Sequence, residues 1–186
     1  MPPHIRILGI CGSLEPKSNS MRALNIALEG ARASGANLCV VDLRQYQLPI
    51  LNSPYQHPKS LEHLQKMKKE FQEADGIIMA TPEYHGSLSG ALKNALDLMG
   101  FNEFEGKMIG LIGLAGGDMG AFNALNHLRT ICRQVHAWVV PSQVSIADSH
   151  LAFNAGGQIK NPKLVQRLRK LGIEVTKFAL LHRQGK

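Results

Sequence analysis

Five short apolar runs, each followed by a stretch with the 3.6-residue period of a helix, constrain this chain more than any other feature. The runs are Ile5–Ile10, Leu38–Val41, Gly76–Ala80, Met108–Leu114 and Trp138–Val140. The periodic stretches carry Met21, Leu24, Leu28 and Ala31, then Leu61, Leu64, Met67 and Phe71, then the segment Leu88 to Met99. Two more follow, with Phe122, Leu125, Leu128 and Ile131, and with Leu164, Leu168, Leu171, Val175 and Phe178. Strands that are apolar throughout, rather than alternating, are covered on both faces, which predicts a parallel sheet between helical layers. Right-handed crossovers then give an α/β fold, a three-layer doubly wound five-stranded parallel sheet.

Finer expectations accompany this frame. Ser20 is the expected N-cap of the first helix and Gly35 its stop. Thr81 to Ser87 reads as a turn-rich loop. The strand at Trp138 is expected to end at Pro141, and Ser142 to Asn161 reads as irregular with a small hairpin. With 186 residues and no break in composition, residues 1–186 are expected to form a single domain.

Composition narrows the function classes. No run approaches the roughly 20 apolar residues of a membrane span. The start Met-Pro-Pro-His-Ile-Arg lacks the features of a secretory signal, so a soluble, cytoplasmic protein is expected. Cys11, Cys39 and Cys132 lie far apart with no Cys-x-x-Cys pair. Reduced buried thiols are therefore expected, with neither disulfide nor metal site. The formal charge of +7 raises the question of nucleic acid. The densest cations, Lys66-Lys68-Lys69 and Lys163-Arg167-Arg169-Lys170, fall on helices with an apolar opposite face, so they read as solvated faces.

In open α/β sheets ligands bind beyond the carboxyl ends of the strands. Three loops there have unusual composition. The first, Gly12 to Ser20, carries Ser13, Ser18 and Ser20 just before a helix, whose free N–H groups and positive dipole end suit a phosphate. Lys17 lies within reach. The loop fits neither the Walker A pattern, whose nearest trace is Gly106-Lys107, nor the dinucleotide pattern Gly-x-Gly-x-x-Gly. The second loop, Thr81 to Gly90, offers Pro82 to stiffen the strand exit, Gly86 for close backbone approach, and the flat side chains of Tyr84 and His85. It is not a hydrolase elbow, because the middle residue of Gly86 to Gly90 is Leu88. The third, Gly113 to Gly120, is built of small residues around Gly116 and Gly117.

The stretch Thr81-Pro82-Glu83-Tyr84-His85-Gly86-Ser87, running into Gly90-Ala91-Leu92-Lys93-Asn94-Ala95-Leu96-Asp97, resembles the signature of the NADPH-dependent FMN reductases. Gly12-Ser13-Leu14 with Ser18 resembles that family's phosphate loop, and Asp42-Leu43-Arg44 to Leu48-Pro49 its segment after the second strand. The resemblance weakens after Ser142. It implies a flavodoxin-like fold with strand order 2-1-3-4-5, noncovalent FMN, and NADPH or NADH as hydride donor. It implies FMN phosphate contacts from Ser13, Ser18, Asn19, Ser20 and Met21. It places Pro82, Glu83, Tyr84, His85 and Gly86 against the flavin and ribityl chain, and Gly116 and Gly117 near the pyrimidine edge. No side chain is implied as general acid or base.

The implied partner is a small electron acceptor, such as a quinone, free flavin, nitro or azo compound, or metal oxyanion. A homodimer or homotetramer is implied, with no nucleic acid and no membrane. The alternatives are a flavodoxin-type electron carrier and a non-catalytic nucleotide- or RNA-binding module. Two departures stand out. Glu15 occupies a position where many family members carry an arginine, a candidate contact for the donor's phosphates. His85 stands where many members carry asparagine, adding a titratable ring.

Overall fold

The computed structural model describes residues 5–54 and 57–185. Among the described residues there are six strands and seven α-helices. Strand β1 (Arg6–Cys11) leads to α1 (Asn19–Ala33), β2 (Asn37–Asp42), a short 3-10 turn (Leu43–Gln45) and α2 (Pro58–Gln72). Then come β3 (Gly76–Tyr84), β4 (Ser87–Leu88), α3 (Gly90–Asp97) and α4 (Phe101–Phe104). The chain continues through β5 (Met108–Leu114), α5 (Phe122–Gln134), β6 (Trp138–Ile146), α6 (Ser149–Ala152) and α7 (Pro162–Gln184).

The parallel strands run in the order β2-β1-β3-β5-β6, and short β4 pairs antiparallel with β3. Counting only the parallel strands, this is the expected order 2-1-3-4-5. The continuous apolar runs are explained by two cores, one on each face. Leu8, Ile10, Ile77, Met79, Ile109 and Leu111 face the helices α2, α3 and α5. The residues between them, Ile7, Cys11, Ile78, Ala80, Ile112 and Leu114, face α1 and α7. Period-2 geometry thus sends every second residue of each strand into a different core.

Three local expectations are corrected. The N-cap of α1 is Ser18, not Ser20: Ser18 has extended backbone (φ −60°, ψ 121°), and its hydroxyl accepts the Met21 N–H. Ser20 already lies inside the first turn. The stretch after Ala80 is not all loop. Strand β3 continues to Tyr84 and folds back through His85 and Gly86, so the following helix starts at Gly90 rather than Leu88. Strand β6 does not end at Pro141 but runs to Ile146. The β5–β6 register shifts between Val139 and Gln143, and that irregularity absorbs a residue with no N–H to donate. Within the stretch read as irregular, Phe153 and Ile159 form an antiparallel bridge. Gly35 follows α1 with φ +86°, the left-handed stop expected there.

Gly106-Lys107 has no part in phosphate binding. Lys107 is buried at the opposite end of the sheet, where its ammonium donates to the carbonyls of Phe71 (2.7 Å), Gln72 (2.9 Å) and Ala74 (2.6 Å). It thereby satisfies the carboxyl end of α2 and complements its dipole. Lys107→Met is expected to destabilise the fold by about 3 kcal/mol, because buried acceptors lose a charged donor. Urea unfolding checks this, and a wild-type midpoint would refute it. Among the described residues, no helix is long and apolar enough to cross a membrane.

Candidate functional site

Three loops meet beyond the carboxyl ends of β1, β3 and β5 and enclose a cleft of about 360 Å³. Hydrogen bonds between the loops fix its shape. Gly12 donates its N–H to the Ala80 carbonyl (2.8 Å), and the Ser89 hydroxyl donates to the Gly12 carbonyl (2.6 Å). Thr81 Oγ1 accepts the Ser89 N–H (3.0 Å) and donates to the Pro82 carbonyl (2.8 Å). A Cβ on Gly12 would lie 2.6 Å from Ser89 Oγ and 2.8 Å from Leu92 Cβ, so only glycine permits this contact. From the other side, Arg44 donates to the carbonyls of Pro16 (3.1 Å) and Glu15 (3.4 Å). The same guanidinium pairs with Asp42 and holds that carboxyl below the usual carboxylate range.

The first loop presents donors. Ser18 Oγ accepts from Met21 N (3.1 Å) and Ser13 Oγ from Glu15 N (3.3 Å); the Ser13 hydroxyl proton is left free to donate, while the Ser18 hydroxyl also meets the Cys11 thiol. Ser20 is 3% exposed and lines the cleft, yet its hydroxyl has no partner among the described residues. The amides of Asn19 and Ser20, in the first turn of α1, likewise meet no acceptor there. Free amides, free hydroxyls and the positive end of a 15-residue helix make a donor set of the kind that suits a phosphate. The Asn19 side chain is committed elsewhere: it donates to the Ser149 carbonyl (3.1 Å) and accepts from Arg22 (2.9 Å). Asn19 therefore offers its backbone N–H, and one of its two carboxamide protons is already given to Ser149.

The second loop is a two-residue hairpin. His85 (φ +50°) and Gly86 (φ +74°) both take positive φ, the sign pattern of a type I′ turn. Histidine is among the few side chains that tolerate this region. The hairpin sets Pro82, Glu83 and Tyr84 against the cleft while His85 and Gly86 form its outer tip and do not line it. The Glu83 carboxylate accepts the Ala124 N–H (2.8 Å) and so caps α5 from outside. Tyr84 is half exposed at the mouth.

The third loop gives Gly116 to the cleft. A Cβ built there meets nothing within 4 Å, so any side chain would project into open space. Gly117 does not line the cleft; its carbonyl accepts the N–H groups of Gly120 (3.3 Å) and Asp148 (3.1 Å). Met21 also stands outside and contributes its amide to Ser18.

Eight of the expected residues are thus brought together: Ser13, Ser18, Asn19, Ser20, Pro82, Glu83, Tyr84 and Gly116. Glu15, Lys17, Leu114 and Ser149 join them. Ser149 carried no sequence signal, because it arrives from the segment after β6 by a long-range return of the chain. The thiol of Cys11 lies 3.9 Å from Ser18 Oγ, and burial pushes its pKa up, so it stays neutral near pH 7. Burial likewise pushes the Cys132 thiol up to about 12. Among the described residues, no group of three His, Cys, Asp or Glu side chains is placed to hold a metal ion.

The donor set fits a flavin mononucleotide: anion receptor at one end, and at the other a flat-walled cleft with an open floor at Gly116. Comparison with known proteins points the same way. Residues 5–151 match the family described as NADPH-dependent FMN reductase. An NADPH azoreductase of Bacillus sp. (strain OY1-2) is 35% identical over 130 residues, 70% of this chain and 72% of that protein. An FMN-dependent NADPH-azoreductase of Staphylococcus aureus (strain USA300) is 34% identical over 152 residues, 80% of each chain. The fold is similar to that of FerB, a flavoenzyme NAD(P)H:(acceptor) oxidoreductase from Paracoccus denitrificans. Its TM-score is 0.73 at 22% identity, covering 96% of this chain and 98% of that one. The chain belongs to the NADPH-dependent FMN reductase family and is an FMN-dependent NAD(P)H oxidoreductase.

Proposed function

We propose that residues 1–186 act as one FMN-binding unit that reduces small organic acceptors, azo compounds first among them. The relatives named as azoreductases support that acceptor class. One observation carries the reading: unpaired amides and hydroxyls of the first loop open into the same cleft as the Pro82–Tyr84 wall and the bare floor at Gly116.

In this reading the hydroxyls of Ser13, Ser18 and Ser20 and the amides of Asn19 and Ser20 hold the phosphate. Met21 acts one step back, fixing the Ser18 rotamer through its amide. Pro82, Glu83 and Tyr84 wall the ring, and Tyr84 shields the mouth from water. His85 and Gly86 set the turn that aims Tyr84, while Gly117 tethers the third loop to Asp148. Bound FMN would supply the redox chemistry, hydride transfer between the nicotinamide donor and the acceptor. The protein's share is orientation and polar stabilisation, and no side chain serves as general acid or base.

The surroundings support a homo-oligomer, a dimer or tetramer. Leu14, Tyr84, Met119 and Phe122 are apolar side chains exposed around the same end of the sheet, and Met119 is 87% exposed. The reading is completed by a cytoplasmic location and by partners that include neither nucleic acid nor membrane. Anaerobic NADPH is expected to bleach the yellow absorbance of the FMN-loaded protein, and an azo dye added next should lose colour as the yellow returns. Protein that takes up no FMN, or whose FMN neither NADPH nor NADH bleaches, overturns the reading.

A further inference from the structure

A second cavity, of about 600 Å³, opens beside the cleft between the end of β6 and the start of α7. Its volume falls in the range of small-ligand sites. Ile146, Leu151 and Leu164 give it an apolar lining. Lys160, Lys163 and Arg167 stand on its rim. Lys163 and Arg167 are four residues apart on α7, so they share one helix face. None of the three cations has a carboxylate partner among the described residues. The facing acid is Asp148 alone, so the cavity carries an excess of positive charge. The cleft has the opposite balance, with Glu15 and Glu83 against Lys17.

The two spaces share a wall. Leu114 lines the cleft and Ile146 lines the cavity, and they are register partners on β5 and β6. Ser149 faces the cleft while its chain neighbour Asp148 faces the cavity. Adjacent strands, roughly 4.8 Å apart, therefore contribute one residue to each space. An extended dinucleotide with its nicotinamide over the cleft has its anionic far end repelled by the acidic rim and drawn to the basic one.

We propose that this cavity receives the phosphorylated adenosine end of NADPH, with Lys163 and Arg167 pairing with the 2′-phosphate. The apolar lining takes the adenine, and the guanidinium fork of Arg167 suits a phosphate geometrically. The proposal rests on reading the cleft as the flavin site.

The test uses adenosine 2′,5′-bisphosphate, titrated calorimetrically into FMN-loaded protein and again into FMN-free protein. It is expected to bind both forms, to compete with NADPH, and to bind more tightly than adenosine 5′-monophosphate. Lys163→Glu with Arg167→Glu is expected to weaken it by about tenfold or more, since each contact is a hydrogen bond to a charged group. The KM for NADPH should rise in step, with kcat unchanged and the KM for NADH little moved. The FMN spectrum, read separately, should not change. The milder pair Lys163→Gln with Arg167→Gln should show the same direction and guards against misfolding. Equal bisphosphate affinity in wild type and variants, no competition with NADPH, or monophosphate binding as tightly overturns the proposal. Loss of FMN binding in the wild-type protein would instead strike at the cleft reading, and the FMN-free titration would still judge the cavity.

Discussion

Gly172→Ala is expected to destabilise the protein by about 3 kcal/mol, although alanine is the better helix former by about 1 kcal/mol. Helices α1 and α7 cross so closely that a Cβ on Gly172 would lie 1.8 Å from the Ala27 carbonyl oxygen and 2.8 Å from Ala31 N. The crossing is reciprocal: a Cβ on Gly30 would lie 2.1 Å from the Arg169 carbonyl oxygen. These obstacles are backbone atoms inside helices, so no rotamer change relieves them. Relief requires α7 to lift off, which loosens Leu168, Leu171 and Val175 from the core they share with Leu24 and Ala31. For a chain of this size, a 3 kcal/mol loss lowers the melting temperature by about 6–12 °C. Gly90→Ala is the control, because a Cβ there meets nothing within 4 Å and the position begins a helix. Thermal unfolding of both variants decides the matter, and Gly172→Ala melting with the wild type would show that the helices are not in this contact.

Glycines such as Gly30 and Gly172 show where the sequence stops informing. Each sits within a helix-period pattern and reads as a weak point, because the partner that makes it necessary is distant in the chain. The interior strands were legible for the opposite reason. Ile77 to Ala80 and Ile109 to Leu114 are buried on both faces, so hydrophobicity alone marks them. Strand β6 lies at the sheet edge and is half exposed, so Pro141, Ser142 and Gln143 interrupt its pattern without ending the strand.

The site divides the same way. The hydroxyls of the first loop were readable because they are local to one strand–helix junction. The hairpin was partly readable: Tyr84 and His85 are neighbours in sequence, but a turn at His85-Gly86 puts one at the cleft and the other at the tip. Ser89 and Asn94 belong to the family-like stretch, yet their bonds are structural. Ser89 caps α3 and ties down Gly12, while Asn94 donates to the Pro49 carbonyl (3.0 Å). A shared motif therefore mixes groups that face the cleft with groups that hold the loops, and only their placement in the fold separates them.

Ser20 offers the sharpest separation of cofactor binding from folding. Ser18→Ala combined with Ser20→Ala is expected to weaken FMN binding by about 3–6 kcal/mol, two hydrogen bonds to a charged phosphate at about 1.5–3 kcal/mol each. In affinity this is about two to four orders of magnitude. Ser18 also caps α1, so its loss costs the cofactor-free fold about 1 kcal/mol. Ser20 has no protein partner among the described residues, so Ser20→Ala alone should leave cofactor-free stability within about 0.5 kcal/mol while still weakening FMN. Riboflavin, which has the ring without the phosphate, should bind wild type and both variants alike. Flavin fluorescence titrations and urea unfolding of the same preparations read these effects independently. A Ser20→Ala protein that binds FMN as the wild type does would move the phosphate away from the start of α1, and with it the assignment of the cleft.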